Sequence, residues 1–132
     1  MGNHVYYARY LDLLEAARGE FFRSVGAPML ELQQRGVIFP VTECRVRYRA
    51  PARYDDELAV EVWVTELGRV RLGFGHRVVK PDGSLVLECE TLHACATLDE
   101  KPQRVPSDLA ARLEPHLDPA RWAAAVPRAA GS

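Results

Sequence analysis

Cysteine is scarce in this sequence, and its spacing suits neither covalent cross-links nor metal binding. The chain has three cysteines, Cys44, Cys89 and Cys95, and none of them stands in a CxxC arrangement. An odd number without paired spacing argues against a disulfide framework and against a zinc site. We therefore expect three small buried apolar side chains in a reducing compartment, and no metal ion.

An excess of either charge is missing too, and so are long apolar runs. Seventeen basic and eighteen acidic residues give a formal net charge of −1, which provides no global attraction to nucleic acid or to a membrane surface. The apolar runs are too short for a bilayer-spanning helix, and no basic-then-apolar leader opens the chain. The sequence thus predicts a cytoplasmic protein without a nucleic-acid or membrane partner.

What the chain does contain is one long amphipathic helix near its start. Apolar side chains recur there at intervals of three and four, which places them on one helical face. These apolar residues are Tyr10, Leu13, Leu14, Ala17 and Phe21. The predicted polar face consists of Asp12, Glu15, Arg18, Glu20 and Arg23. We expect a polar turn at residues 1–3, a helix over about 6–24, and a stop at Gly26 and Pro28.

Four strand-like segments follow the helix. Residues 41–49, 58–65 and 69–79 alternate between the two faces of a strand, whereas 85–98 is apolar on both faces in places and is expected at the centre of a sheet. The Pro81-Asp82-Gly83 stretch predicts a hairpin turn before the last strand. A short helix over 109–113 follows, with Ser107 as its predicted N-cap. A long helix with four antiparallel strands is an α+β layout.

Several short motifs are spread in a fixed order along residues 1–113. They are Gly2-Asn3-His4-Val5, Ala8-Arg9-Tyr10-Leu11, Glu15-Ala16-Ala17-Arg18, Phe39-Pro40-Val41, the stretch 48–58 and the stretch 101–106. In order and spacing they resemble the hotdog-fold acyl-CoA thioesterases, in the branch of the 4-hydroxybenzoyl-CoA and Tol-Pal-associated thioesterases. The resemblance implies one hotdog domain over residues 1–113, with 114–132 as a C-terminal tail.

The resemblance also implies an architecture and an activity. A hotdog domain wraps a curled antiparallel sheet around its long helix, dimerises, and often forms tetramers. Its members hydrolyse an acyl-CoA thioester to free acid and CoA without a metal or cofactor. The helix N-terminus points at the thioester carbonyl, where the backbone N–H groups of Val5 and Tyr6 would stabilise the oxyanion. A non-catalytic module that binds acyl-CoA or only assembles is the alternative.

The family opens this helix with a D-x-x-G motif whose Asp acts as nucleophile or general base. Matching its Gly to Gly2 puts that Asp two residues before Met1, together with the family's first strand. Either the sequence starts inside a longer protein, or the protein is natively short and lacks this chemistry. We favour the first explanation. We expect the DNA upstream of Met1 to encode, in frame, a β-patterned segment ending in Asp-x.

Further catalytic candidates lie on the helix itself. Glu15 stands where other hotdog branches keep a helix-borne acid, although a solvated or salt-bridged glutamate is the favoured interpretation. His4 would hydrogen-bond the carbonyl or position water, unless it is a plain surface residue. Tyr7 stands where the Tol-Pal-associated branch has a histidine, and its hydroxyl can still donate a hydrogen bond. Tyr6 and Tyr7 otherwise pack at the helix entry.

A basic row on one face of the first predicted strand is the candidate substrate site. Arg45, Arg47 and Arg49 could bind the phosphates of CoA, and the row could extend to Arg69, Arg71 and Arg77. For any single arginine, however, a solvated or interface role balanced by nearby glutamates has more weight. His76 and His93 lie within strands, where packing is commoner than catalysis.

Overall fold

The computed structural model describes residues 2–53 and 56–122, with side chains from residue 9 onward. Its helices are α1 (Gly2–Ser24), α2 (Met29–Gln34) and α3 (Ser107–Leu113), followed by a 3-10 turn, Glu114–His116. Its strands are β1 (Val41–Tyr48), β2 (Ala59–Leu67), β3 (Arg71–Val79) and β4 (Leu85–Ala94). Within those ranges the strands form one antiparallel sheet in the order β1-β4-β3-β2. The central position predicted for the last strand is confirmed.

Helix α1 begins earlier than the sequence predicts. The polar turn expected at residues 1–3 is wrong, because the helix already includes Gly2 and Asn3. The N–H groups of a first helical turn have no intrahelical acceptor, so weak helix formers cost little at this end. At the other end, the N–H groups of Gly26 and Ala27 donate to the carbonyls of Arg23 and Phe22. This Schellman motif, with a φ of 81° at Gly26, ends the helix as predicted.

The other predicted boundaries differ from the structure by only a few residues, with two exceptions. Strand β4 ends at Ala94 rather than 98, because the N–H groups of Cys95 and Ala96 turn to the carbonyls of Val70 and Ile38. Ser107 is not an N-cap. Pro106 holds the extended conformation before α3, so Ser107 is already helical and makes no capping hydrogen bond.

Helix α1 lies on one face of the sheet, called the inner face here. Two apolar clusters fill this layer. The first surrounds Phe22, Phe39 and Phe74, and the second surrounds Tyr10, Leu14 and Val78. Burial of these side chains supplies the main driving force for folding, about 25 cal/mol per Å² of apolar surface. The strip of sheet between the two clusters carries polar side chains, which makes it unlike the rest of the core.

The opposite, outer face is covered by the residues that follow the 3-10 turn. Residues 117–122, called the C-terminal strap here, begin with a hydrogen bond of 2.8 Å from the N–H of Asp118 to the carbonyl of Val64. The guanidinium of Arg121 then stacks on the Trp63 ring at 3.9 Å. None of the helices in the described ranges is long and apolar enough to cross a bilayer.

Candidate active site

A charged side chain interrupts the buried stripe of α1. Arg18 follows Leu14 by four residues and precedes Phe22 by four, and both of these neighbours are only 2% exposed. Because residues four apart share a helical face, Arg18 also points at the sheet. The prediction that Arg18 belongs to the polar face is therefore wrong. The four-residue spacing from two apolar residues indicates the buried face, whereas the charge of Arg18 suggests an exposed position.

Arg18 reaches a fully buried histidine on strand β3. Its Nη1 lies 3.3 Å from Nε2 of His76, and Nδ1 of His76 lies 3.2 Å from the carbonyl oxygen of Cys89. A carbonyl only accepts, so Nδ1 carries the proton and Nε2 accepts from the guanidinium. Burial, reinforced by the Arg18 charge, lowers the pKa of His76 to about 3. His76 is thus neutral at physiological pH and is no proton acceptor for a reaction.

A second buried histidine lies beside the first. Nδ1 of His93 donates to the carbonyl of Phe39 at 2.9 Å, and the hydroxyl of Thr91 donates to Nε2 at 2.8 Å. Burial lowers the pKa of His93 to about 4, although the Phe39 carbonyl opposes that shift. Both histidines are satisfied packing residues, as the sequence predicts.

Two of the three cysteines meet at the edge of this polar strip. Sγ of Cys44 lies 3.6 Å from Sγ of Cys89, and both thiols are free. Burial raises the pKa of Cys89, which keeps it a protonated thiol. Cys44 is exposed, so the expectation that all three cysteines are buried is wrong for this one. The reason is its place on β1, which is an edge strand in the described sheet.

A cavity of about 430 Å³ opens between α1 and the sheet at this strip. Its lining residues are Glu15, Arg18, Gly19, Phe22, Met29, Phe39, Pro40, Val41, Phe74 and His93. Glu15 is exposed at the rim, whereas Arg18 is half-buried. Apart from its chain neighbours and the backbone of α1 itself, no atom of the described residues lies within 4 Å of where a Cβ on Gly19 would stand, so this glycine leaves the space open. The size falls within the range of small-molecule pockets, about 300–1,000 Å³.

The structure separates the predicted catalytic residues. Glu15 lies at the cavity, but the predicted residues His4, Val5, Tyr6 and Tyr7 belong to the first turns of α1, and their side chains lie outside the described residues. At 1.5 Å per residue, Val5 and Glu15 are about 15 Å apart along the helix axis. One thioester cannot contact both places within a single protomer.

The predicted basic row lies on the outer face, where carboxylates already contact two of its members. Arg45 pairs with Glu43 at 3.0 Å and with Glu90 at 3.7 Å. Arg49 pairs with the buried Glu88 at 2.9 Å.

The middle arginine of the row is arranged differently. The guanidinium of Arg47 stacks on the Trp122 ring at 3.8 Å, and its two Nη atoms are buried without a hydrogen-bond partner. The C-terminal strap thus restricts access to Arg47. The burial of this guanidinium could not be predicted from the alternation of residues along β1, because it depends on a distant segment of the chain.

A second hollow, of about 660 Å³, lies beside the β2–β3 turn and the start of α3. Arg69 and Arg104 line it from opposite segments of the chain. Both side chains are exposed, and neither pairs with a carboxylate of the described chain. The sequence predicts Arg69 as an extension of the basic row. Arg104, which sequence reasoning missed, is brought to it only by the packing of α3.

A long helix packed on one face of a four-stranded antiparallel sheet is the α+β arrangement expected of a hotdog domain. The sequence profile of the thioesterase-like superfamily matches residues 1–113. The chain belongs to this superfamily. The predicted fold and family are thereby confirmed.

Individual relatives agree with this assignment. The acyl-CoA thioester hydrolase YbgC of Escherichia coli O6:H1 is 33% identical over 114 residues, which is 86% of this chain and 85% of the relative. A hypothetical protein from Thermus thermophilus superposes with a TM-score of 0.75 at 37% identity, covering 86% of this chain and 84% of that one. The DHNA-CoA thioesterase of Staphylococcus aureus superposes with a TM-score of 0.71 at 27% identity, covering 75% of this chain and 67% of that one.

Proposed function

We propose that the protein hydrolyses an acyl-CoA thioester to the free acid and CoA. The observation that carries this proposal is the aromatic-walled cavity with Glu15 at its rim, in a chain of the thioesterase-like superfamily. An acyl group that enters between Phe22, Phe39 and Phe74 leaves its thioester near the solvent-exposed opening. Water can reach the carbonyl carbon there, while the acyl chain stays dry.

The chemistry requires one carboxylate and one group that stabilises negative charge. The carboxylate takes a proton from water as the water oxygen attacks the thioester carbon. The tetrahedral oxyanion is stabilised by N–H groups, and the C–S bond then breaks. The CoA thiolate takes the proton back from the carboxylic acid, which restores the starting state. Every atom of water ends in the two products.

Two carboxylates compete for the role of base. We propose that an Asp encoded before Met1 acts beside the N–H groups of Val5 and Tyr6, with His4 and Tyr7 close to the carbonyl. Because these N–H groups lie about 15 Å from Glu15 along the helix, they would serve a thioester whose acyl group occupies the cavity of a second protomer. Support comes from α1, whose first turns supply unpaired N–H donors at the positive end of the helix dipole. Glu15 is the alternative base, and its position at the cavity rim supports that role.

The phosphates of CoA need cations that are not already paired. Arg69 and Arg104 meet this requirement in their shared hollow. In the row predicted from the sequence, a phosphate must compete with Glu90 for Arg45 and with Glu88 for Arg49. We therefore propose the hollow as the main phosphate contact, and the row as a secondary one.

We further propose that the protein is a homodimer in the cytoplasm, with tetramers as a further association state. Strand β1 supports a dimer, because it is an edge of the described sheet and its residues 41–45 are exposed. Unpaired edges invite pairing with a second copy. Val41→Lys should then lower the mass measured by light scattering, whereas Val70→Lys, at a comparably exposed valine, should not. The odd number of cysteines without paired spacing supports a reducing compartment.

The experiment that tests the function measures thiol release from a panel of acyl-CoA substrates. The chain printed above is compared with a version extended at its N-terminus by the upstream in-frame codons. Each form is also made with Glu15→Gln, and with Glu20→Gln as the matched control, because Glu20 is an exposed glutamate whose ion pair among the described residues is with Arg23.

The outcomes separate the alternatives. Turnover only in the extended form supports the upstream Asp. Turnover in the printed chain that is lost with Glu15→Gln, but kept with Glu20→Gln, assigns the base to Glu15. Failure of every form to release thiol contradicts hydrolysis and supports a module that only binds acyl-CoA. A stop codon directly upstream of Met1 contradicts the Asp proposal.

A further inference from the structure

We propose that Arg18 determines substrate specificity by binding a carboxylate at the distal end of the acyl group. The preferred substrates are then CoA monothioesters of dicarboxylic acids. The inference rests on the proposed function, because it takes the cavity under α1 as the acyl site. It adds the chemical class of the acyl group, which neither the fold nor the basic surface arginines define.

The charge balance around Arg18 supplies the first argument. Its guanidinium hydrogen-bonds the neutral ring of His76. The other polar groups of the strip, His93, Thr91 and the thiol of Cys89, are neutral as well. Glu15 contributes only a longer-range attraction from the rim. A half-buried cation surrounded by neutral groups is unfavourable, so an anion that enters the cavity gains an unusually strong partner.

The donor geometry supplies the second argument. A guanidinium has five N–H donors in a planar fork that matches a carboxylate, and the contact to His76 occupies one of its nitrogens, Nη1. Among the side chains that the structure describes, none places a carboxylate at ion-pair distance from Arg18. The fork therefore keeps donors available on the cavity side.

The shape of the cavity supplies the third argument. Aromatic rings line its walls, Glu15 stands at the exposed rim, and Arg18 lies further in against a fully buried residue. A short methylene chain fits the apolar walls, and its terminal carboxylate passes the rim to reach the cation. The missing side chain of Gly19 widens this part of the passage.

The test compares adipoyl-CoA with hexanoyl-CoA, which have the same chain length and differ in the distal carboxylate. The ratio of their kcat/KM values is measured for the parent form that shows turnover and for Arg18→Gln and Arg18→Lys. Arg23→Gln is the matched control, since Arg23 is an exposed arginine on the same helix away from the cavity. Circular dichroism and light scattering of each variant check folding and association.

We expect the parent ratio to favour adipoyl-CoA, and Arg18→Gln to lower the ratio about 30-fold, the loss typical of one charge-assisted hydrogen-bond pair. Arg18→Lys should give an intermediate ratio, because it keeps the charge and loses the fork. The kcat/KM for hexanoyl-CoA should change less than about threefold in Arg18→Gln, because this substrate has no distal carboxylate for Arg18 to bind. Gly19→Val should slow both substrates alike, because it narrows the passage without touching the charge.

An unchanged ratio in a folded Arg18→Gln protein overturns the proposal. An Arg18→Gln protein that dissociates into monomers, but keeps the parent ratio of the two kcat/KM values, also overturns the proposal. Arg18 would then pair with a carboxylate of a second copy instead of with the substrate. Calorimetric binding of adipate and hexanoate provides a readout that is independent of turnover. If no CoA ester is hydrolysed, but adipate binds in an Arg18-dependent manner, the hydrolase proposal fails and the carboxylate site stands. If adipate and hexanoate bind equally, the site itself fails.

Discussion

The indole of Trp63 on β2 lies across Gly75, its direct partner on β3. A Cβ at position 75 would overlap the ring atoms of that indole. Trp63 is only 4% exposed, because Gly75 and the C-terminal strap enclose it from two sides. The glycine is therefore a packing requirement of the outer face, in a strand where glycine is otherwise unfavourable.

This contact predicts opposite effects for two glycine-to-alanine changes. Gly75→Ala should lower the free energy of unfolding by about 2–3 kcal/mol, because the rigid indole must move out of a filled site. Gly19→Ala should leave it unchanged or raise it by up to about 1 kcal/mol, because the helix gains propensity and the Cβ meets open space. Urea unfolding curves measure both values. A Gly75→Ala protein as stable as the parent contradicts this packing.

Mild acid should destabilise the protein through two buried histidines. The pKa values of His76 and His93 are lowered from 6.5 to about 3 and about 4. The unfolded chain then binds more protons, so the stability is fully present above about pH 6.5 and is lost as the pH falls toward the folded pKa values. Between pH 7 and pH 5 each histidine should cost roughly 2 kcal/mol by this linkage.

Urea unfolding at pH 7 and pH 5 measures that loss. His76→Gln should about halve the difference, because glutamine can keep hydrogen bonds to Arg18 and to the Cys89 carbonyl without taking up a proton. Equal pH sensitivity in the parent and the variant would show that His76 is protonated in the folded state.

Two neighbouring arginines of β1 should respond oppositely to the same substitution. Arg49→Met removes the ion-pair partner of Glu88, which is 5% exposed, and should lower the unfolding free energy by about 1–3 kcal/mol. Arg47→Met replaces a guanidinium whose Nη atoms are buried without partners, and methionine can still pack on Trp122. That variant should be neutral or more stable. Thermal and urea unfolding of the two single variants should rank them in this order.

If the hollow lined by Arg69 and Arg104 binds the CoA phosphates, loss of either arginine should raise KM only for substrates that carry those phosphates. Arg69→Gln and Arg104→Gln should each raise KM for an acyl-CoA roughly 3- to 30-fold by loss of a charge-assisted contact, with kcat little changed. The N-acetylcysteamine thioester of the same acid lacks the phosphates and should show no change in KM. Arg23→Gln is again the control for a lost surface charge. A KM that rises equally for both thioesters would contradict phosphate binding.

The fold could be predicted largely because alternation and helical spacing are local. Strands β1 to β3 follow from the period of two, and the central place of β4 follows from its apolar character on both faces. Gly26 and the Pro81–Gly83 turn end their elements by backbone geometry that the residue types alone indicate.

The site was harder to predict, because it depends on contacts between segments that are distant in the sequence. The charge of Arg18 predicts an exposed position, whereas its four-residue spacing from Leu14 and Phe22 places it on the buried face of α1. The burial of Glu88 and Glu90 could not be read from β4, since it depends on what covers the outer face. Arg69 and Arg104 line the same hollow only because α3 packs beside the β2–β3 turn, which the sequence does not indicate.

The C-terminal strap has a consequence for higher assembly. With Trp122 and Arg121 seated on the outer face, the bare sheet is not available for stacking against the sheet of another protomer. A tetramer that joined two dimers back to back would bury the strap and its two tryptophan–arginine stacks as the contact surface. The residues after the family-matched region 1–113 would then determine how dimers associate.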